Sequence, residues 1–181
     1  MLAVLALELG DAGEALKLAT TSRRALDSLL QHSPTSTTLQ YNLGRTLTFL
    51  GTDELALARR ADAEASERHA LAVLEPSLAK KPSDLNLRAA TSEALLALGD
   101  VLASGGRGLE ATAVWNRSLA TIDSVARNRR LTDHLVLQSA ALMRLDRLDE
   151  ARPIVNEVLK RGYRRPRWFA TVRSKRVVPA L

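Results

Sequence analysis

A chain of 181 residues with 46% hydrophobic side chains is long enough to bury one sizeable core. It has no cysteine, which excludes a disulfide framework and a thiolate metal site, and its Leu- and Ala-rich, aromatic-poor composition argues for stacked helices rather than a sheet. The net charge of +6 is local: all 20 acidic residues lie at or before Glu157, whereas eight basic residues fall between Lys160 and Arg176, so the basicity belongs to the C-terminal segment.

The chain opens on Met1-Leu2-Ala3-Val4-Leu5-Ala6-Leu7, which Glu8 cuts short. No basic residue precedes this stretch, so it reads as the first helix of a hairpin rather than a signal peptide. No apolar run is long enough to span a bilayer, and a cytoplasmic location is expected. Leu2, Val4, Leu5, Leu7 and Leu9 do not make the polar cap that a helical stack needs at its end. The expectation is that the chain is the C-terminal part of something longer, or that Met1 is not the true start. The uncapped first hairpin then offers a face for self-association.

A second helix is predicted from about Ala12 to Gln31, followed by a loop at Ser33-Pro34. Leu39, Leu43, Leu47 and Leu50 stand at helical spacing and predict a helix over 37–50. Thr52 is a suitable N-cap for a long helix over 53–80, with Asp53 and Glu54 at the positive end of its dipole. The middle of that helix, with Arg59, Arg60, Asp62, Glu64, Glu67 and Arg68, reads as a solvated face on which Glu64 and Arg68 can pair. Pro76 should kink or restart it. Ser83 is the next expected N-cap, opening another long helix over 84–104 that Gly105-Gly106 ends. Further helices are predicted over 109–126, 132–143 and 148–160, with a basic loop at Arg127-Asn128-Arg129-Arg130 and Pro153 tolerated in a first turn. After Gly162, Pro166 suits the start of a short helix whose Trp168, Phe169 and Val172 cap the stack.

One stretch organises the rest. Leu98-Gly99 sets a large side chain beside a missing one, and Ala111, Trp115 and Ser118 share one face of the following helix. Sliding this template along the chain matches Ala111 to Ala15, Ala56 and Ala151, at intervals of 41, 55 and 40 residues. The turn recurs as Leu9-Gly10-Asp11, Leu50-Gly51-Thr52 and Leu145-Asp146-Arg147. The long interval exceeds its neighbours by 14 or 15 residues, close to four helical turns, which keeps the face in phase. The pattern predicts hairpins over about 1–34, 35–82, 83–130 and 131–162, then a basic cap and tail over 163–181.

Catalytic chemistry finds no foothold. His32, His69 and His134 lie in separate repeats without a third ligand, and adjacent Asp133 and His134 point apart on a helix. Gly105-Gly106-Arg107-Gly108 lacks the strand and the Lys-Ser/Thr of a phosphate loop. No cofactor is expected.

The large-Leu-Gly first helix and Ala-rich second helix resemble the tetratricopeptide repeat, although the spacing is longer than the usual ~34 residues. That resemblance implies an all-α fold, an α-solenoid of about four antiparallel hairpins with a short C-terminal capping helix. It also implies a non-catalytic scaffold that binds a peptide or partner protein on the concave face lined by the first helices. Tyr41, Arg45, Thr48, Asp100 and Arg144 are the candidate contacts. The paired Lys and Asn residues that clamp a C-terminal carboxylate in chaperone-binding members are missing. Glu150 to Pro153 and Gly162-Tyr163-Arg164 also resemble the closing repeat of tetratricopeptide regions in large bacterial signalling proteins, which follow Ser/Thr kinase-like or DNA-binding regulatory domains. A regulatory appendage of such a protein is therefore one alternative. The other rests on the tail: Arg161, Arg164, Arg165, Arg167, Arg173, Lys175 and Arg176, interleaved with aromatics, can meet nucleic acid or another polyanion.

Overall fold

The computed structural model describes residues 12–123 and 131–177. The expected first helix and its uncapped face, the basic loop at Arg127 to Arg130, and the last four residues lie outside the described residues. Within them the protein is all-helical. The helices are α1 (Ala12–His32), α2 (Thr37–Ala56), α3 (Arg60–Lys80), α4 (Leu85–Ser104), α5 (Gly108–Asp123), α6 (Thr132–Arg144), α7 (Leu148–Lys160) and α8 (Pro166–Ser174). From α1 to α7 each packs on the next, while α2, α4, α6 and α8 touch in series along one side. No described helix is long and apolar enough to cross a membrane.

Two expected boundaries are corrected. Thr52 is not an N-cap, because α2 runs through it to Ala56, and the long helix over 53–80 does not form. The chain instead reverses at Leu57-Ala58-Arg59, with Ala58 at φ 58° and the Arg59 N–H donating to the Glu54 carbonyl. Alanine there tolerates the left-handed backbone at some cost in strain, so the turn lacks the glycine that would have marked it. Leu50-Gly51 is therefore the counterpart of Leu98-Gly99 rather than of the turn. The buried anchor alanines are Ala15, Ala63, Ala111 and Ala151, all at 0% exposure and 48, 48 and 40 residues apart. The expected intervals of 41 and 55 disappear, and α2 and α4 have the same 20 residues. At the other ends, Asp84 rather than Ser83 caps α4 by accepting from the Asn86 and Leu87 amides, and Pro76 lies inside an unbroken α3.

The same register explains the turn chemistry. Arg59, Arg107 and Arg147 each precede a helix and bind the carboxylate three residues on: Asp62, Glu110 and Glu150. Arg107 also reaches back to Glu64 at 2.8 Å, tying the start of α5 to the surface of α3, where Arg68 holds the same carboxylate. His134 is buried and structural: its Nδ1 accepts from the Leu131 amide and its Nε2 stands 3.1 Å from the Leu85 carbonyl. On α8, Trp168 is buried and its indole N–H donates to the Ser139 hydroxyl at 3.0 Å, seating the helix on α6.

Close approach depends on absent side chains. A Cβ at Gly44 would lie 2.4 Å from Leu74, and one at Gly99 would lie 2.2 Å from the Trp115 indole. Overpacking of that severity costs about 1–3 kcal/mol. Gly99→Ala should therefore lower the unfolding free energy measured in urea by that amount, whereas Gly108→Ala, with open space around it, should be neutral or stabilising by up to about 1 kcal/mol.

Candidate binding groove

The series α2, α4, α6 and α8 encloses a groove of about 620 Å³. Helical spacing places Thr48, Phe49 and Thr52 of α2 on its wall, together with Leu96, Ala97 and Asp100 of α4 and Val136, Ala140 and Arg144 of α6. Tyr163, Arg165, Arg167 and Trp168 close the end.

Of the five residues expected on this face, Thr48, Asp100 and Arg144 are brought together. Arg144 bridges α6 to α4 with two hydrogen bonds of 2.6 Å to the two oxygens of Asp100. The pair is about three-quarters buried on the arginine side, and such bidentate geometry fixes both side chains. Tyr41 and Arg45 lie further along α2, outside the lining. The Arg45 guanidinium donates to the Tyr41 hydroxyl and lies 5.2 Å from the Phe49 ring centre, a cation–π arrangement.

The deepest polar groups were not singled out by the sequence reading. Asp53 is 1% exposed and Glu67 is 0% exposed, both line the groove, and none of their four carboxylate oxygens has a hydrogen-bond partner. Glu93 of α4 joins them on the wall. Glu67 corrects the expectation of a solvated charged face. It occupies the place that Trp115 holds 48 residues later, and a Cβ at Gly51 would meet its Oε1 at 2.5 Å. The missing signal was register, since Glu67 follows the buried Ala63 by one turn as Trp115 follows Ala111. Asp53, expected at a helix start, instead sits inside α2.

Burial governs their protonation. It pushes the Asp53 carboxyl up to about 6, with Arg167 opposing and Glu54 adding to the rise. It raises Glu67 well above the usual carboxylate range, and the neighbouring Glu93 charge raises it further. The Thr48 hydroxyl works against this for Glu67 but is also committed to the Gly44 carbonyl at 3.2 Å. Glu93 is raised by burial too, with Arg45 pulling it down.

The basic residues of the tail do not form one patch. Arg165 and Arg167 turn to the groove. Arg161 pairs with Glu157, and Lys175 stands 3.2 Å from Asp146. Arg164 donates to the Leu159 and Tyr163 carbonyls. Arg173 and Arg176 are exposed on and after α8.

A carboxyl whose folded pKa exceeds its unfolded value binds more protons in the native state. Its stabilising share is whole below the ordinary carboxylate range of about 4 and is lost as pH rises through the folded value near 6. Asp53→Asn should match the wild type in urea stability near pH 4 and exceed it by about 1–2 kcal/mol at pH 7.5. Equal stability at both pH values would mean that Asp53 is hydrated as in the unfolded chain.

No family model, curated protein or solved structure matches this chain.

Proposed function

We propose that this protein is a non-catalytic interaction module of tetratricopeptide type, whose helical hairpins stack as a solenoid and whose groove along α2, α4, α6 and α8 holds a peptide or a segment of a partner protein. The observation that carries this reading is the groove itself, which joins an apolar wall at Phe49, Leu96 and Val136 to deep carboxylates without partners. Recognition sites combine those two elements, apolar area for affinity and a few buried polar groups for orientation. The polar side chains of the groove suit recognition rather than turnover. Arg144 and Asp100 hold each other. Attachment to an upstream kinase-like or DNA-binding regulatory domain would give such a module its task in a signalling protein, with the groove receiving the segment it regulates.

The test places a photo-crosslinking amino acid at Phe49 inside the groove or at Leu109, which is 91% exposed and outside it. Adducts should form from position 49 and not from 109. Ala97→Trp, which fills the wall of α4, should abolish them while the helical circular dichroism is kept. Equal adducts from both positions, or adducts unaffected by the filled groove, would remove the groove as the binding surface.

A further inference from the structure

The groove floor holds an imbalance of partners. Four carboxylates line it: Asp53, Glu67, Glu93 and Asp100. Asp100 is taken by Arg144. Arg167 faces Asp53 from the rim of α8 without a hydrogen bond to it, and Arg45 faces Glu93 from α2. Arg165 lies over the Tyr163 ring at 5.8 Å, and its charge also acts on Glu93, against that of Asp133. Glu67, the most deeply buried of the four, has only acids among its charged neighbours, Glu93 and Asp100 from α4 and Glu54 from α2; the Thr48 hydroxyl beside it is committed to the Gly44 carbonyl, and neither Glu67 oxygen has a hydrogen bond of good geometry.

A fully buried carboxyl without a donor is costly in an apolar core, and hydrophobic side chains of similar volume serve packing better, as Trp115 does at the matching place. The groove wall beside it is aliphatic and aromatic, which suits the methylene stem of a long cationic side chain. The complement of such a floor is a cationic head on a long apolar stem.

Resting on the reading of this groove as a peptide site, we infer that its floor receives the ammonium or guanidinium of a Lys or Arg side chain carried by a partner segment. Glu67 is the direct acceptor, Glu93 is the second, and the stem lies against Phe49 and Leu96. Burial and the neighbouring acids favour the protonated form of Glu67 in the free protein. When the cation enters, the carboxyl gives that proton to solvent and the ion pair replaces it, so each binding event releases up to one proton.

The experiment titrates the isotope-labelled full chain with capped peptides Ala-Ala-Xaa-Ala-Ala, where Xaa is Lys, Arg, norleucine or Glu, and reads the amide shifts of Gly51, Thr52 and Glu67. A charge-assisted hydrogen bond at a buried acceptor is worth on the order of tenfold in affinity. The Lys and Arg peptides should bind about tenfold tighter than the norleucine peptide, and Glu67→Gln should erase that preference. Calorimetry in two buffers of different ionisation enthalpy should show proton release for the Lys and Arg peptides and none for the norleucine peptide. Glu93→Gln, at a partly exposed side chain, should weaken the Lys peptide severalfold and serves if Glu67→Gln fails to fold. Equal binding of Lys and norleucine would overturn the cation site and leave the groove as an apolar peptide site. Tighter binding of the Glu peptide would overturn it in favour of the rim arginines. No groove shift with any peptide would also overturn it, while the crosslinking experiment judges the interaction reading independently.

Discussion

At Gly51 a Cβ would stand 2.5 Å from Oε1 of Glu67, and at Gly99 one would stand 2.2 Å from Nε1 of Trp115. Both pairs come from a first helix meeting a second helix across a hairpin, 16 residues apart. The missing side chain lets two backbones approach until a large residue of the second helix fills the space above the glycine. The 0% exposed alanines Ala63 and Ala111 one turn earlier do the same work from the other side. Because helices are stiff, fixing two such contacts fixes the whole hairpin, and the Arg59 and Arg107 turns then follow at matching places.

The same geometry makes the groove. In the hairpin of α4 and α5 the filled space takes an indole, which completes an apolar core. In the hairpin of α2 and α3 it takes a carboxyl, and the core is left with an acid that water does not reach. Two effects compete there. Charging Glu67 in that place costs several kcal/mol without a donor, whereas holding it protonated costs about 1.4 kcal/mol for each pH unit above its ordinary carboxyl range. Burial therefore tilts the acid toward its neutral form. Arg144 and Asp100, some turns away, show the opposite solution, in which a donor arrives from the next first helix and both charges stay.

Much of the fold could be read from one dimension. Leu periodicity over 37–50, the glycine exit at Gly105-Gly106 and the Pro166 start of α8 all mark helices correctly, because each rests on local backbone physics. The failures share one cause. Leu50-Gly51 resembles a turn in sequence, yet its glycine serves a tertiary contact with Glu67, while the real turn at Ala58 carries no turn residue. Misplacing that turn put Ala56 where Ala63 belongs, moved Asp53 to a helix start and moved Glu67 to a solvated helix face. Thr48, Asp100 and Arg144 were legible as groove residues, since they depend only on which helix comes first in each pair. The ion pair between Asp100 and Arg144 was not, because it joins residues 44 apart and nothing local couples them.

The basic C-terminal segment also changes meaning once the fold is known. As sequence it is a run of cations with aromatics between them, the pattern of a polyanion site. In the folded chain its aromatics are spoken for: Trp168 seats α8 on α6, and Tyr163 meets its ring edge-on at 5.5 Å. Arg161 pairs with Glu157, Arg164 binds backbone carbonyls, Arg165 and Arg167 stand at the rim of the groove, and Arg173 and Arg176 are exposed. The segment thereby sets a positive rim, Arg165 and Arg167, against an acidic floor. A ligand entering past that rim meets repulsion if it is cationic along its whole length, and attraction if its charges alternate. If the groove holds a peptide as proposed, a polarity of this kind would select for order as well as composition, because an extended segment would place its cation deep and its neutral or acidic residues near α8. On the proposed reading the rim and the floor act together, although only Arg165 and Arg167 of the tail cations face the groove while Arg173 and Arg176 stay on the exposed surface.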